Sequence, residues 1–171
     1  HYKRRYRQQD SSFSPDYFKG LNYLLNVQPD KAIDVFIGLL EVNSETVETH
    51  LALANLFRRR GESDRAIRIH QNLIARPSLS AQQRRQALVE LGLDYMSAGV
   101  LDRAELLFLE LLQQPGTPPE APKQLLRIYQ QEKKWQQAID MAKHIEGNDK
   151  TNTRALIAQF YCELAESVIN K

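Results

Sequence analysis

Apolar residues along the chain recur at helical spacing, and the helices they predict come in pairs that repeat. Four segments align on a small residue that would open the second helix of each pair, with spacings of 34, 38 and 34 residues. An aromatic residue lies nine positions before each small residue. The small residues are Ala32, Ala66, Ala104 and Ala138, and the aromatic residues are Tyr23, Phe57, Tyr95 and Tyr129. The alignment predicts helix pairs in which an alanine allows close approach and a ring fills the neighbouring space.

Two further positions of the repeat are each filled mostly by one kind of side chain. Twelve residues before the alanines the position is small in three of four repeats, and four residues after them it is aromatic in three if histidine counts. These positions hold Gly20, Ala54, Gly92 and Leu126, and then Phe36, His70, Phe108 and Ala142. Gly61 and Gly99 lie five residues before their alanines. There the first helix should end in a turn of positive φ.

Helix start signals agree with these boundaries. Ser14-Pro15 and Thr117-Pro118 each place a capping residue before a proline at the first helical position. Glu120 would add a capping box to the second of these signals. Ser80 and Gln83 predict a capping box for the third helix pair.

A ninth helix is expected near residues 153–169. The residues that fit the first helix of a fifth pair are Tyr161, Leu164, Ala165 and Val168. The chain ends at Lys171 without a second helix for this pair, which leaves an apolar face uncovered and predicts self-association through it. Two interpretations stay open: a longer array that is cut within a repeat, or a solitary capping helix that ends a native array.

The predicted fold is therefore all-α. It is a right-handed superhelix of four antiparallel helix pairs, an α-α solenoid, followed by one unpaired helix. Residues 1–13 form a separate basic arm, and residues 14–171 form the repeat array. The repeats span about 14–46, 47–79, 82–116 and 118–149, with a partial fifth repeat at 152–171.

Composition limits the function. The chain has 23 Lys and Arg residues against 21 Asp and Glu residues, and this formal charge of +2 argues against a strongly electrostatic polyanion binder. Its one cysteine, Cys162, excludes an internal disulfide framework and a multi-cysteine metal site. No apolar run reaches the roughly 18 residues that would cross a bilayer. Since the first methionine is Met96, we expect a piece of a longer or processed protein.

The residues aligned above resemble the tetratricopeptide repeat over residues 14–171. Three stretches contain more than the repeat itself requires: GLNYLLNVQPDKAIDVF at 20–36, NLFRRRGESDRAIRIHQ at 55–71 and FYCELA at 160–165. These stretches resemble a family of tetratricopeptide-repeat inner-membrane proteins that regulate lipopolysaccharide synthesis in Gram-negative bacteria.

The resemblance implies a non-enzymatic adaptor with no cofactor in this stretch of chain. Members of the family have an amino-terminal transmembrane anchor, a cytoplasmic repeat array and a carboxy-terminal rubredoxin-like metal domain with paired CxxC motifs. They present the deacetylase that commits lipid A synthesis to a membrane-bound ATP-dependent protease, and another inner-membrane protein restrains them. This chain would then be an internal part of a single-pass inner-membrane protein whose array faces the cytoplasm, with the metal site beyond residue 171.

No catalytic constellation is visible in the sequence. His1, His50, His70 and His144 have neither ligand nor triad spacing, and no glycine-rich phosphate loop occurs. His70 takes a position that two other repeats fill with Phe, which favours a histidine packed between helices. Cys162 is expected to be a small buried hydrophobe, with a reactive thiol as the alternative.

The amino-terminal arm carries the first basic cluster. Lys3, Arg4, Arg5 and Arg7 are interleaved there with tyrosines. From the residues alone, a solvated arm and a membrane-proximal segment attracted to anionic lipid are equally good interpretations. The family resemblance favours the membrane-proximal interpretation.

Eight arginines between residues 58 and 85, against only Glu62 and Asp64, form the second basic cluster. This cluster is either a solvated face or a place where an acidic partner docks through charge-assisted bonds. Arg58 and Arg59 come late on a first helix, and first helices line the inner groove of such an array. The residues assigned to a partner-binding groove are Tyr17, Leu21, Leu24, Leu51, Asn55, Arg58, Arg59, Leu93, Met96 and Arg127.

These observations favour a protein-binding adaptor whose partners are the lipid A deacetylase, the membrane-bound protease and another inner-membrane regulator. A generic tetratricopeptide scaffold for another envelope assembly is the first alternative. RNA binding through the arginines is the weaker alternative, because the net charge is near neutral and no base-reading pair recurs in every repeat.

Overall fold

The structure is a computed structural model that describes residues 15–39, 47–146 and 153–169. Within these ranges the chain forms nine α-helices and no strand, which confirms the predicted all-α class. The helices are α1 (Pro15–Leu25), α2 (Pro29–Leu39), α3 (Val47–Arg59), α4 (Ser63–Ile74), α5 (Ala81–Ser97), α6 (Leu101–Gln113), α7 (Glu120–Gln131), α8 (Trp135–Glu146) and α9 (Thr153–Ile169).

The helices fall into two compact units, one with α1 and α2 and the other with α3 to α9. In the smaller unit the two helices pack on each other, and Gly20, Ala32 and Ile33 are buried. In the larger unit each helix packs on the next, and α3 also contacts α5. Packing of each pair on its neighbours is how solenoid repeats bury the apolar faces that a single pair leaves open.

The four repeat alanines Ala32, Ala66, Ala104 and Ala138 are each 0% exposed, as predicted. Gly92 shows why the repeat also needs a small residue on the first helix. A Cβ atom there would lie 2.5 Å from the Phe108 ring, which is itself fully buried. The contact between α5 and α6 therefore has no room for an added methyl group.

The turn within each pair has one backbone shape in all four repeats. Gly61 and Gly99 have φ values of 80° and 74°, as predicted, while Val27 and Lys133 take the same position in repeats one and four with 59° and 57°. The following amide donates to the carbonyl of the repeat aromatic residue in every case. These bonds are Gln28 N to Tyr23 O (2.9 Å), Glu62 N to Phe57 O (2.9 Å), Val100 N to Tyr95 O (2.9 Å) and Lys134 N to Tyr129 O (2.8 Å). The left-handed residue itself donates to the carbonyl three residues before it, and the two bonds together form a Schellman motif.

Two of the predicted helix starts can be compared with the structure. Ser80 and Gln83 form the capping box, with Gln83 N donating to Ser80 Oγ at 3.2 Å and Ser80 N donating to Gln83 Oε1 at 3.0 Å. The prediction at Thr117 was wrong, because α7 begins at Glu120 and has no side-chain cap. The Thr117 hydroxyl instead donates to the Gln114 carbonyl at 3.0 Å, since the turn at the end of α6 carries it back to carbonyls that the helix leaves unpaired. Ser14 lies outside the described residues.

The ninth helix forms over Thr153–Ile169, as the sequence predicts. Phe160 is buried on it and stacks on Trp135 of α8, with ring centroids 5.9 Å apart. These rings extend the core of the larger unit to its last helix.

Candidate partner-binding surface

A polar network joins α3, α4 and α5 and accounts for the most prominent arginine. Arg58 of α3 donates to Asp94 Oδ1 at 2.8 Å and to Glu90 Oε2 at 2.7 Å, both on α5. Its first terminal nitrogen also donates to the Glu90 carbonyl at 3.1 Å. Burial opposes the charge of Arg58, but the hydrogen bonds to the two carboxylates outweigh this effect and raise its pKa. Arg58 therefore closes an internal contact between repeats two and three.

His70 of α4 completes this network from the other side. Its Nδ1 lies 2.5 Å from Asp94 Oδ2, and both side chains are fully buried. The histidine is thus packed between helices, as its position in the repeat predicts. Its Nε2 is buried without a hydrogen-bond partner among the described atoms, so the pairing with Asp94 is the one polar contact that the structure records for the ring.

Other arginines of the basic cluster are also engaged inside the array. Arg84 donates to the carbonyls of Ile74 at 2.5 Å and Arg76 at 2.8 Å, and so caps the carboxyl end of α4. Arg65 forms an ion pair with Glu62, which also lies 3.5 Å from Arg60. Of the eight arginines in this cluster, Arg58, Arg65 and Arg84 are therefore held by partners within the array, whereas Arg59, Arg60 and Arg68 are exposed.

The predicted groove residues of the larger unit divide into buried, half-buried and exposed side chains. Leu51 is 3% exposed and lies in the core, so its assignment to a partner-binding surface was wrong. A leucine at this position of α3 is covered by the neighbouring helices of the stack. Leu93 and Met96 are half-buried and pack against the core, whereas Arg59 and Arg127 are exposed.

Asn55 is half-buried on α3, one turn before Arg58. Its Oδ1 is buried without a partner among the described atoms. Of the groove residues predicted here, Arg59 and Arg127 are the ones that offer an open charge.

In the smaller unit the predicted groove residues all lie on α1. Leu21 is exposed, Tyr17 and Leu24 are half-buried, and Tyr17 contacts Phe18 edge to face with ring centroids 6.3 Å apart. The membrane-proximal residues Lys3, Arg4, Arg5 and Arg7 lie outside the described residues. Their assignment stays a prediction.

Two concavities of the larger unit border α7, one at its first residue and one along the rest of its length. The first, about 510 Å³, lies against α5 and is lined by Gln82, Arg85, Gln86, Val89, Glu90, Gly116, Pro118 and Glu120. The second, about 690 Å³, lies against α9 and is lined by Lys123, Leu126, Arg127, Gln130, Ile145, Thr153, Ala155, Leu156 and Gln159. Arg127 was predicted as a groove residue. Gln86, Lys123 and Gln130 were not among the residues assigned to the partner-binding groove. They lie on first helices, which line the inner groove of such an array, so their positions in the repeat could have indicated this surface.

The outer face of α9 remains open in the structure. Tyr161, Val168 and Ile169 are 47%, 69% and 80% exposed. Cys162 is exposed as well, so the expectation of a buried cysteine was wrong. It lies two residues after the buried Phe160, which puts it on a different side of the helix. Self-association through this face stays a prediction.

The part of the chain that the structure describes offers no group of three or more His, Cys, Asp and Glu side chains that could hold a metal ion. A rubredoxin-like site needs four thiolates, so the single Cys162 does not fit one. No described helix is long and apolar enough to cross a membrane.

Stacked antiparallel helix pairs with a buried small residue in each pair and a shared turn define a tetratricopeptide-repeat solenoid. The tetratricopeptide repeat family matches residues 49–83, which cover most of α3, all of α4 and the start of α5. A crystal structure of a kinesin light chain-like protein from Podospora anserina, with nearly identical tetratricopeptide-like repeats, has a TM-score of 0.58 with this chain. The match covers 88% of this chain and 85% of the kinesin light chain-like chain, at 15% sequence identity. It therefore supports the fold alone.

The particular relatives are lipopolysaccharide assembly proteins. Lipopolysaccharide assembly protein B of Escherichia coli K12 is 51% identical over 152 residues, which cover 89% of this chain. The protein of the same name from Haemophilus influenzae Rd is 40% identical over 167 residues, or 92% of this chain. The resemblance seen in the sequence is therefore confirmed. The chain spans 39% and 42% of the length of these two relatives.

Proposed function

We propose that this chain is the repeat array of a non-enzymatic adaptor that regulates lipopolysaccharide synthesis through protein turnover. In this proposal the array presents the deacetylase that commits lipid A synthesis to a membrane-bound ATP-dependent protease. The observation that carries the proposal is the 51% identity over 152 residues with lipopolysaccharide assembly protein B. A solenoid that leaves open concavities along its first helices supports a role in binding other proteins.

The proposal also gives the array a place in the cell. The whole protein would be anchored in the inner membrane with the repeats on the cytoplasmic side, and the basic arm at Lys3, Arg4, Arg5 and Arg7 would lie next to the membrane. Another inner-membrane protein would restrain it. A rubredoxin-like metal domain would belong to the chain beyond residue 171.

A chimera tests this function. The 152 matched residues of the Escherichia coli relative are replaced by this chain, and the chimera is expressed in a strain that lacks the relative. After protein synthesis is blocked, the amount of deacetylase is followed over time by immunoblot. We expect the chimera to restore rapid, protease-dependent loss of the deacetylase.

The matched control is a second chimera that carries the kinesin light chain-like solenoid, which has the same fold at 15% identity. That chimera should leave the deacetylase as stable as in the strain without the relative. Equal restoration by both chimeras, or by neither although both accumulate in the membrane, would overturn the proposal.

A further inference from the structure

We propose that the open face of α7 and α9 binds an extended, acidic polypeptide segment with interspersed apolar side chains. We call this surface the α7–α9 strip and define it by Lys123, Leu126, Arg127 and Gln130 of α7 and Leu156 and Gln159 of α9. The inference rests on the proposed function, because it names the kind of partner segment that the adaptor would take. It moves the docking site away from Arg58 and Arg59.

Helical periodicity brings the polar members of the strip together. Glu120, Lys123, Arg127 and Gln130 follow one another at intervals of three and four residues, so they share one face of α7. Glu120 lines the concavity towards α5, and the other three line the concavity towards α9. The two concavities therefore border successive positions along α7, a length that suits a segment rather than a single group.

The charges of the strip are open, unlike the charge of Arg58. Lys123 and Arg127 are exposed, and the structure records no ion pair for either among the residues it describes. Arg85, in the neighbouring concavity, adds a third positive charge. That concavity also holds two carboxylates, Glu120 and Glu90, and Glu90 is already paired with Arg58. An acidic segment would gain charge-assisted hydrogen bonds without displacing an internal partner.

The neutral members of the strip indicate how the partner chain would lie. Leu126, Ile145 and Leu156 give the concavity of about 690 Å³ an apolar side, where aliphatic side chains could be buried. Gln130 and Gln159 both donate and accept hydrogen bonds, as does a peptide group. An extended backbone has peptide groups free for such bonds, whereas a helix has already used them internally.

The same lining argues against RNA. None of the described residues that line the two concavities is aromatic, so the strip has no ring on which a base could stack. Salt would weaken the binding of an acidic peptide and of RNA alike. The kinds of side chain in the strip therefore distinguish the two ligands better than its charge does.

The test measures binding of a short fluorescein-labelled peptide of alternating Glu and Leu residues by fluorescence anisotropy. Peptides that alternate Gln with Leu and Lys with Leu, and a labelled uridine oligomer, serve as comparison probes. We expect the Glu–Leu peptide to bind best, and the Lys123→Glu/Arg127→Glu variant to raise its Kd about tenfold or more.

The matched variant is Lys19→Glu/Lys31→Glu, which changes the net charge equally on exposed residues outside both the strip and the predicted groove. It should change the Kd less than about twofold once salt screens distant charges. A second variant, Leu156→Gln, should also weaken binding of the peptide, because it removes part of the apolar side of the concavity. Circular dichroism of each variant shows that a loss of binding is not a loss of fold.

Three results would overturn the inference. Equal weakening by the two charge-reversal variants would mean general electrostatic attraction, and binding of the uridine oligomer in place of the peptide would mean a nucleic-acid surface. Absence of peptide binding would remove the strip as a docking site. If the chimera described above still restored loss of the deacetylase, only the location of the site would fail, and the adaptor function would stand.

Discussion

Two junctions of the larger unit put a polar side chain at the same repeat position and use it in opposite ways. Arg58 and Gln130 both lie eight residues before a repeat alanine. At the α3–α5 junction, Arg58 is 18% exposed and is held by Glu90 and Asp94. At the α7–α9 junction, Gln130 lines an open concavity beside exposed cations.

The difference shows that an inner position of the repeat is not by itself a binding position. At the α3–α5 junction two carboxylates of the next first helix hold the cation, whereas at the α7–α9 junction the same position holds an uncharged glutamine. Replacing a buried ionic cluster by apolar residues is often neutral, while breaking one member of it is costly. We hypothesise that the Arg58 cluster fixes the register between repeats two and three, and the following variants test the two junctions.

The largest effect should come from Asp94→Ala. This change leaves Arg58 with one carboxylate and removes the recorded partner of the buried His70 ring, so we expect the free energy of unfolding to fall by about 3 kcal/mol. Urea unfolding followed by circular dichroism measures it. The triple variant Arg58→Met/His70→Phe/Asp94→Leu should recover much of the loss, because it removes every fully buried ionisable group of the cluster and leaves only the part-exposed Glu90 without its cation.

The matched change at the other junction is Lys123→Ala/Gln130→Ala. We expect it to change stability by less than about 0.5 kcal/mol, since those side chains are open to solvent or line a concavity. Similar losses at the two junctions would contradict the contrast drawn here.

Overpacking should give the next largest effect. Gly92→Ala puts a methyl group against the Phe108 ring and should cost about 1–3 kcal/mol in unfolding free energy. Repeat four has Leu126 at the equivalent position, where it is half-buried and lines the concavity. Thermal denaturation of Gly92→Ala with and without Phe108→Leu checks the cause, because the smaller residue should relieve the clash. Unchanged stability of Gly92→Ala would contradict this prediction, since it would mean that α5 and α6 can move apart without a loss of unfolding free energy.

Exchange of the turn residues should have a moderate effect of opposite sign in the two repeats. Lys133→Gly should stabilise the chain by up to about 1 kcal/mol, because a left-handed conformation costs a lysine more than a glycine. Gly61→Lys should destabilise it by a similar amount. Differential scanning calorimetry of both variants and of the double exchange checks the prediction. A loss in both single variants would show that the Lys133 side chain makes a compensating contact.

The smallest effect should come from Lys134→Met at the start of α8. The hydrogen bond to Glu105 and the ion pair with Glu132, both at 2.8 Å, raise the pKa of the Lys134 ammonium above its ordinary value. The group is partly exposed, so we expect a loss of only about 0.5 kcal/mol, smaller still at high salt. Because the pKa is higher in the folded state, the stabilisation is fully present below the ordinary lysine pKa of about 10.4 and fades as the pH rises through the folded value. Urea unfolding of both proteins across this range measures the difference, and a difference that grows with pH would refute the pairing.

The repeat alanines and Gly61 and Gly99 could be predicted because each is required by local geometry that recurs at a fixed spacing. The left-handed turns at Val27 and Lys133 could not be predicted from their side chains. The packed helix pair imposes that backbone shape whether or not a glycine is present. Thr117 was mistaken for an amino-terminal cap because a carboxyl-terminal hydrogen bond uses the same kind of residue.

The candidate site was harder to predict, because its contacts join residues that are far apart in the sequence. Glu90 and Asp94 lie 32 and 36 residues from Arg58, so nothing in the local sequence distinguishes this arginine from the exposed Arg59. The open cations Lys123 and Arg127 have few charges near them in the sequence, so no local cluster marks them. Local charge density is a poor guide to free charge when opposite charges come from the next repeat.

The exposed thiol of Cys162 makes α9 a natural place for a spectroscopic reporter. It is the chain's one cysteine and lies one helical turn from Gln159 of the α7–α9 strip. A maleimide dye would therefore attach at a defined position without any engineered residue. Its emission could follow occupation of the neighbouring concavity in real time, and the rates of association and dissociation would become measurable on the unmodified sequence.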